Sequence, residues 1–296
     1  FTYPLPKKKI VDFLKAHDQV LIVEELDRVM ETEIKALAFD AQIETKILAR
    51  TDLEDLMGEL GPDRTWNLLA KAWPRDFPPK TTQPLVTEVV PRVAQMCPGC
   101  GHRSAFLAIK QAIDDDTITV GDIGCHSLGF FAPHFLGDIL FSMGHSTATG
   151  SGLAIGNDTR KVVAFIGDST LYHAGLPALV NAVVNNHNVT LIVMENGTTA
   201  MTGHQPRAGT GEVGDKIPLD EMLASLGVKH LARADTYDQA KLVTCLKEAI
   251  AQKGFSVVIA SHPCMLKFQK ERAKKMSGAL PKAEIDIKKC DLKRVC

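Results

Sequence analysis

The sequence lacks an excess of charge of either sign. Its 296 residues include 34 Lys and Arg and 35 Asp and Glu, which leaves a formal net charge of -1 at pH 7. A protein that binds nucleic acid or a membrane surface through electrostatics usually carries a basic excess, so we expect neither as a partner. The sequence also contains no apolar run of the ~18 residues that a membrane-spanning helix requires.

Cysteine is scarce, with seven residues in a chain that is 45% hydrophobic. Seven cysteines are too few for a secreted scaffold held by disulfides, and an odd number does not fit a framework of pairs. A chain of this length can bury a core without disulfides. We therefore expect a reducing compartment, the cytoplasm, in which cysteine spacing indicates metal binding. Because the sequence starts at Phe1 and stops at Cys296 within a group of cysteines, we also expect a piece of a longer polypeptide.

Apolar periodicity divides the sequence into four parts. Residues 1–60 alternate between helical and strand periods, which predicts the C-terminal part of an α/β domain. Residues 61–90 are rich in proline and are predicted as a linker with one short helix around Trp66. From 91 to 264, apolar strands alternate with helices, which predicts a doubly wound parallel sheet covered on both faces. Residues 265–296 form a basic tail.

The first chemical motif is a Gly-Asp pair directly after one buried strand, with an asparagine after the next strand: Gly167-Asp168-Ser169-Thr170 and Asn196. Parallel strands end at the same edge of a sheet, so Asp168 and Asn196 should meet there beside a backbone carbonyl. Such oxygens are the ligands that Mg²⁺ prefers, completed by phosphate and water. The amides of Ser169 and Thr170 can donate to a phosphate, and Gly167 lets it approach. Ordinary strand-to-helix turns also carry Gly-Asp, so the prediction depends on the spacing to Asn196.

The second motif is a set of four cysteines at one tight turn and two strand ends: Cys97, Cys100, Cys125 and Cys264. Four thiolates suit a tetrahedral zinc ion or an iron–sulfur cluster. A redox Cys-x-x-Cys pair or buried structural cysteines would also explain the spacing, which does not distinguish zinc from iron. Cys245 lies on the apolar stripe of a predicted helix and is predicted to be a core residue.

Four motifs occur in a fixed order along the chain: residues 96–103 (MCPGCGHR), 121–125 (GDIGC), 167–170 (GDST) and 201–206 (MTGHQP). Together they resemble the thiamine-binding region of the 2-oxoacid:ferredoxin oxidoreductases, and in particular their indolepyruvate branch. With similarity before residue 91 as well, the resemblance covers nearly the whole chain. It implies a thiamine diphosphate-binding fold.

The resemblance implies an activity and a set of partners. The reaction would be oxidative decarboxylation of an aryl 2-oxoacid, indolepyruvate, with coenzyme A and with ferredoxin as electron acceptor. A smaller partner subunit would complete a hetero-oligomer. Thiamine diphosphate would bind through Mg²⁺, with Asp168, Asn196 and a carbonyl at Thr198 as metal ligands. Ser169 departs from the glycine that this family often has after the aspartate.

The resemblance also bears on the cysteines and on the residues around the cofactor. The resemblance favours a [4Fe-4S] cluster at the four cysteines, because thiamine-dependent decarboxylation releases electrons that zinc cannot accept. Cys290 and Cys296 would begin a segment that carries further clusters, although their pattern is incomplete. Met143 has the placement of the loop that supports the thiamine ring. His102 and His204 are expected to line the site as hydrogen-bond donors or substrate-steering groups.

One essential group of the family has no counterpart in this sequence. The glutamate that activates thiamine belongs to a separate domain, and we find no convincing candidate for it here. We therefore expect this chain to hold the diphosphate end of the cofactor without a complete catalytic site. Two alternatives remain open at this point: another 2-oxoacid:ferredoxin oxidoreductase, acting on pyruvate or a branched-chain acid, and a non-catalytic four-cysteine zinc module.

Overall fold

The computed structural model describes residues 3–50, 52–78, 94–157, 159–276 and 284–289. Backbone contacts divide the chain into two compact units, Phe1–Pro91 and Arg92–Cys296. Among the sequence predictions, those for Cys290, Cys296 and the later part of the linker lie outside the described residues. Within the described part, no helix combines the length and apolar character needed to cross a membrane.

The first unit is a small α/β arrangement. Its elements are α1 (Lys7–Lys15), β1 (Gln19–Leu21), α2 (Val29–Asp40), β2 (Lys46–Leu48), a 3-10 helix (Leu53–Leu56) and α3 (Pro62–Ala72). The two strands pair in parallel, with Val20 opposite Ile47, so the predicted alternation of helix and strand is confirmed. The short helix predicted around Trp66 is α3, which starts at Pro62, where the missing N–H costs no helical hydrogen bond.

The second unit is built on a five-stranded parallel sheet in the order β3-β4-β5-β7-β6. Its strands are β3 (Ile118–Val120), β4 (Val162–Gly167), β5 (Thr190–Glu195), β6 (His230–Asp235) and β7 (Ser256–Ser261). Its helices are α4 (Gly101–Ala112), α5 (Ser146–Ile155), α6 (Asp168–Thr170), α7 (Leu176–Val184), α8 (Leu219–Ser225), α9 (Gln239–Ala251) and α10 (Met265–Lys275). A 3-10 helix covers Cys125–Phe130, and a π-helical turn, Leu171–Gly175, joins α6 to α7.

Helices cover both faces of this sheet, as the apolar strands predict. Every residue of β4 is buried, and alternate side chains enter different cores because a strand has a period of two. Val163 and Phe165 pack with α4 and α9, whereas Ala164 and Ile166 pack with α7 and α8. The doubly wound α/β architecture is therefore confirmed.

A buried carboxylate fixes the loop that follows β3. Asp122 is fully buried, and its two oxygens accept hydrogen bonds from the backbone amides of Ile123 at 2.8 Å, Gly144 at 2.7 Å and Ser146 at 2.9 Å. Ser146 is the first residue of α5, so the negative charge lies at a helix N-terminus, where it is favourable. Asp122 thus joins the end of β3 to the start of α5.

We expect Asp122→Asn to lower the free energy of unfolding by about 2 kcal/mol, because buried hydrogen bonds to a charged group contribute about 1.5–3 kcal/mol each. The variant keeps the shape of the side chain but replaces one acceptor oxygen by a donor. Urea denaturation measures the change as a lower midpoint at constant slope. Asp115→Asn makes the same change at an exposed position and serves as the control. Equal midpoints for the two variants would contradict this role of Asp122.

Candidate functional site

Asp168 lies at the carboxyl end of β4 and is 2% exposed. Its Oδ1 accepts a hydrogen bond from the Ser169 amide at 2.7 Å. Its Oδ2 accepts hydrogen bonds from the amides of Asn196 at 3.1 Å and Gly197 at 2.9 Å, both just beyond β5. The structure therefore brings Asp168 and Asn196 together, because β4 and β5 are neighbouring parallel strands that end at the same edge.

The segment after β5 turns back toward Asp168. Gly197 has a φ of +76°, a left-handed conformation that favours glycine. The Asn196 side-chain Oδ1 accepts a hydrogen bond from the Thr198 amide at 3.0 Å. Thr199 shares a hydrogen bond of 2.6 Å between its hydroxyl and that of Ser169. These contacts place the carbonyl-bearing loop at 196–199 directly over the start of α6.

Arg207 is a buried cation beside Asp168 that the sequence analysis missed. Its Nε lies 2.8 Å from Asp168 Oδ2, and its Nη2 lies 3.4 Å from Glu195 Oε1. Glu195 in turn pairs with Arg233, which also pairs with Asp220. No spacing rule relates these positions, since the contacts depend on how the loop after β5 returns to the sheet edge.

This ion-pair chain shifts the protonation of two carboxyls. Burial raises the pKa of Asp168, although the Arg207 charge and the amides of Gly197 and Ser169 oppose the rise. Burial would also raise the pKa of Glu195, but hydrogen bonds from Arg233 and Ser261 together with the charge of Arg207 hold that pKa below its ordinary value. The network thus keeps negative charge on Glu195 at the end of β5.

A cavity of about 110 Å³ opens beside Asp168. Nine of the residues predicted from the sequence line it: His102, Cys125, Met143, Gly167, Asp168, Ser169, Thr170, Asn196 and Thr198. Pockets that enclose a whole drug-sized ligand measure about 300–1,000 Å³. The cavity therefore has room for a polar end of a cofactor rather than for an entire cofactor.

The four predicted cysteines line a second, adjacent cavity of about 90 Å³: Cys97, Cys100, Cys125 and Cys264. All four are half-buried free thiols. Burial and the nearby Cys100, Cys264 and Cys97 raise the pKa of Cys125 to about 11. The thiols are therefore near enough to influence one another, and binding of a metal would have to release their protons.

The two cavities share four lining residues: His102, Cys125, Asn196 and Ala200. These residues form a wall common to the cavity that contains the Asp168 and Asn196 oxygens, called the oxygen-lined cavity, and the cavity that contains the four thiols, called the sulfur-lined cavity. His204, also predicted as a site residue, lines the sulfur-lined cavity and not the other among the described residues.

The oxygen and sulfur donors of the two cavities differ in how well they fit the metals that the sequence suggests. Across the described residues, no three or more His, Cys, Asp or Glu side chains are grouped tightly enough to hold a metal ion. The Asp–Asn–carbonyl set contains one residue of those four types, and its oxygens fit Mg²⁺ in kind. The four thiols fit zinc or a cluster in kind and number, but their sulfurs must draw closer together to ligate either.

The Cys97–Cys100 turn is seated on the ends of β6 and β7. The Tyr237 hydroxyl donates a hydrogen bond of 2.6 Å to the Gly99 carbonyl. The Tyr237 ring stacks on His262 with ring centroids 3.8 Å apart. A Cβ at Gly101 would lie 2.7 Å from the Cβ of His262, so only glycine allows the turn to approach this closely.

Two buried histidines face the cavities. Burial lowers the pKa of His102 to about 4 and, with the charge of His102, that of His126 to about 3, so both rings are neutral at pH 7. Both His102 ring nitrogens and the His126 Nε2 have no hydrogen-bond partner among the described residues. His126 packs so closely on the Gly-Asp turn that a Cβ at Gly167 would lie 3.0 Å from it. The sequence shows this histidine beside a cysteine motif but gives no sign of its orientation.

The chain is similar in sequence to known thiamine pyrophosphate-binding proteins. Residues 122–260 match the thiamine pyrophosphate enzymes in their C-terminal TPP binding domain. The chain is 34% identical over its full length to indolepyruvate oxidoreductase subunit IorA of Methanothermobacter thermautotrophicus, of which it covers 48%. It is also 34% identical, over 99% of its length, to subunit IorA of Pyrococcus horikoshii, of which it covers 49%. The 2-oxoglutarate synthase subunit KorB of Methanothermobacter thermautotrophicus is 30% identical over 57% of this chain and 64% of KorB.

A solved structure shows the same fold. It is the 2-oxoglutarate:ferredoxin oxidoreductase from Magnetococcus marinus with 2-oxoglutarate, coenzyme A and succinyl-CoA bound, which aligns at a TM-score of 0.53 and 21% identity, over 60% of this chain and 66% of that one. The chain spans about half the length of the IorA subunits. The chain is similar over its whole length to the indolepyruvate oxidoreductase IorA subunits, and the similar stretch includes the match to the C-terminal TPP binding domain.

Proposed function

We propose that this chain supplies the diphosphate- and metal-binding part of a thiamine diphosphate-dependent oxidoreductase that acts on indolepyruvate or another aryl 2-oxoacid. The names of the relatives, indolepyruvate oxidoreductase and 2-oxoglutarate synthase, support oxidation of a 2-oxoacid. The observation that carries the proposal is the wall shared by the two cavities. An electron donor held in one cavity would be next to an acceptor held in the other.

In this proposal the oxygen-lined cavity holds the diphosphate end of the cofactor. Asp168, the Asn196 side chain and the Thr198 carbonyl hold Mg²⁺. The Thr170 amide lies in the first turn of a helical segment that continues into α7, and amides at such a start favour an anion. The Ser169 amide already donates to Asp168 Oδ1. Met143 supports the thiamine ring from the cavity rim.

Bound thiamine diphosphate supplies the electron-sink chemistry by which a 2-oxoacid loses carbon dioxide. His102 is a neutral imidazole at the shared wall, and it can donate or accept one hydrogen bond toward either cavity. His204 acts at the sulfur-lined side, where its backbone amide donates a hydrogen bond of 2.9 Å to the Thr199 carbonyl. In this proposal both histidines orient ligands.

In the sulfur-lined cavity, Cys97, Cys100, Cys125 and Cys264 hold a [4Fe-4S] cluster, which receives electrons one at a time. Ferredoxin is the onward acceptor, coenzyme A takes the acyl group, and a smaller subunit completes a hetero-oligomer. Cys290 and Cys296 contribute to further clusters. The names of the relatives as subunits support an assembly of more than one chain.

Asp168→Asn is expected to weaken Mg²⁺-dependent binding of thiamine diphosphate by about 100-fold, because the loss of a ligand should cost at least as much as the 10–100-fold typical of outer-shell partners. Isothermal calorimetry with the cofactor and Mg²⁺ measures the affinity. Asp220→Asn removes a carboxylate from the same ion-pair chain without touching the cavity and is the matched control. An affinity for Asp168→Asn equal to that of the control would remove the metal assignment.

Cys125→Ser is expected to lower the iron and sulfide content of anaerobically prepared protein and to reduce its broad visible absorbance, since one of four thiolate ligands is lost. Cys245 lies on α9, is partly buried against the core and does not line the sulfur-lined cavity. Cys245→Ser should therefore leave the iron and sulfide content and the absorbance unchanged. Stoichiometric zinc without sulfide in the unaltered protein would instead support the zinc module.

The 296-residue chain on its own is expected to show no reduction of viologen with indolepyruvate and coenzyme A. Among the described residues that line the oxygen-lined cavity, Asp168 is the single carboxylate, and it is assigned to the metal rather than to activation of thiamine. The full protein, assayed with its partner subunit under the same anaerobic conditions, is the positive control. Robust turnover by the isolated chain would show that the activating group is here after all.

A further inference from the structure

Protein groups already contact Oδ2 of Asp168, the carboxylate oxygen that faces the loop after β5. Oδ2 accepts two backbone hydrogen bonds, from Asn196 and Gly197, and also lies 2.8 Å from the Arg207 Nε. Oδ1 accepts only the Ser169 amide in the described structure. A cation that binds this carboxylate would therefore compete with the guanidinium for the same charge.

We propose that Arg207 is a placeholder cation, which neutralises Asp168 when no metal is bound and shifts to Glu195 when a divalent cation takes its place. This inference rests on the proposed function, because it takes Asp168 as a metal ligand. Under this inference Arg207 weakens the binding of Mg²⁺, in contrast to the metal ligands, which strengthen it.

A counter-charge is needed at this position because Asp168 is almost fully buried. A buried carboxylate without a partner is costly, and losing one member of a buried ion pair is strongly destabilising. Arg207 is equally buried, with a side chain 5% exposed beside one 3% exposed. The pair therefore protects the folded protein from an uncompensated charge in the absence of metal.

The contact between Arg207 and Asp168 is one that can be broken. Although Nε lies close to Oδ2, neither Nε nor Nη1 makes an aligned hydrogen bond to any described residue. The attraction is therefore one of charge more than of directed hydrogen bonding, and it depends on the net charge that Asp168 presents. A divalent cation on the carboxylate would remove that attraction.

Other groups that can pair with the Arg207 guanidinium already lie near it. Its Nη2 lies 3.4 Å from Glu195 Oε1, and its central carbon lies 5.4 Å from the centre of the Tyr172 ring. A carboxylate and an aromatic face both favour a buried guanidinium. Arg207 can therefore leave Asp168 without becoming unpaired.

The backbone around Arg207 is fixed, so that only the side chain has to move. The Arg207 carbonyl accepts hydrogen bonds from the Thr210 amide at 3.0 Å and hydroxyl at 2.8 Å. A Cβ at Gly209 would lie 1.7 Å from Arg207 Nη1, so the guanidinium occupies space that only glycine leaves open. The loop is thus built around this arginine.

The test is a Mg²⁺ titration by calorimetry on the full protein with saturating thiamine diphosphate. Arg207→Gln removes the placeholder and is expected to tighten Mg²⁺ binding by about tenfold, which corresponds to about 1.4 kcal/mol. Without metal its melting temperature should fall below that of the unaltered protein, and Mg²⁺ should reduce the difference. Arg160→Gln, an exposed arginine before the opposite end of β4, should leave the Mg²⁺ affinity unchanged.

A second variant tests the same inference through an expected loss of Mg²⁺ affinity rather than a gain, and it does not depend on whether Arg207→Gln folds. Glu195→Gln removes the alternative partner of the guanidinium, so Arg207 should hold Asp168 more firmly and Mg²⁺ should bind several-fold more weakly. Unchanged or weaker Mg²⁺ binding by Arg207→Gln, or unchanged or tighter binding by Glu195→Gln, would overturn the inference. Absence of Mg²⁺-dependent cofactor binding in the unaltered protein would overturn the proposed function as well, which separates the two failures.

Discussion

The structure of the site depends on the hydrogen bonds by which the end of one strand holds a carboxylate from the end of the next. Asp168 follows β4, and the amides that hold its Oδ2 follow β5. These groups meet because the two strands are parallel, adjacent and in a register that brings Gly167 opposite Met194. A shift of register or of strand order would separate the carboxylate from the amides and leave it buried without partners.

Two kinds of ligand chemistry lie on either side of one thin wall. On one side Asp168, Asn196 and Thr198 place oxygens in a largely apolar lining, and oxygens suit hard cations such as Mg²⁺. On the other side four thiols gather, which suits soft metals. His102 and Cys125 belong to both linings. This proximity is the structural basis for the proposal that electrons pass between two bound cofactors.

The sequence predicted the parts of this arrangement that follow from strand period and from strand ends. The sheet follows from apolar runs such as β4, and the meeting of Asp168 with Asn196 follows from parallel strands sharing an edge. Arg207 could not be predicted in the same way. Its contact with Asp168 depends on the path of an irregular loop, which no local periodicity describes.

The four cysteines show more clearly what the sequence cannot predict. Their types and turns predicted a shared location, and all four do line one cavity. How closely the sulfurs approach one another depends on side-chain rotamers and on whatever is bound, which residue spacing does not encode. The orientation of His126 against Gly167 is a packing outcome of the same kind.

The hydrogen bond from Tyr237 to Gly99 joins residues 138 positions apart in the sequence. Residues so distant along the chain find each other late, because the entropy of closing the intervening loop must be overcome first. During translation, the turn that contains Cys97 leaves the ribosome well before Tyr237, and Cys264 emerges later still. Assembly of a metal centre at these cysteines therefore belongs to the end of biosynthesis, when the last strands have joined the sheet.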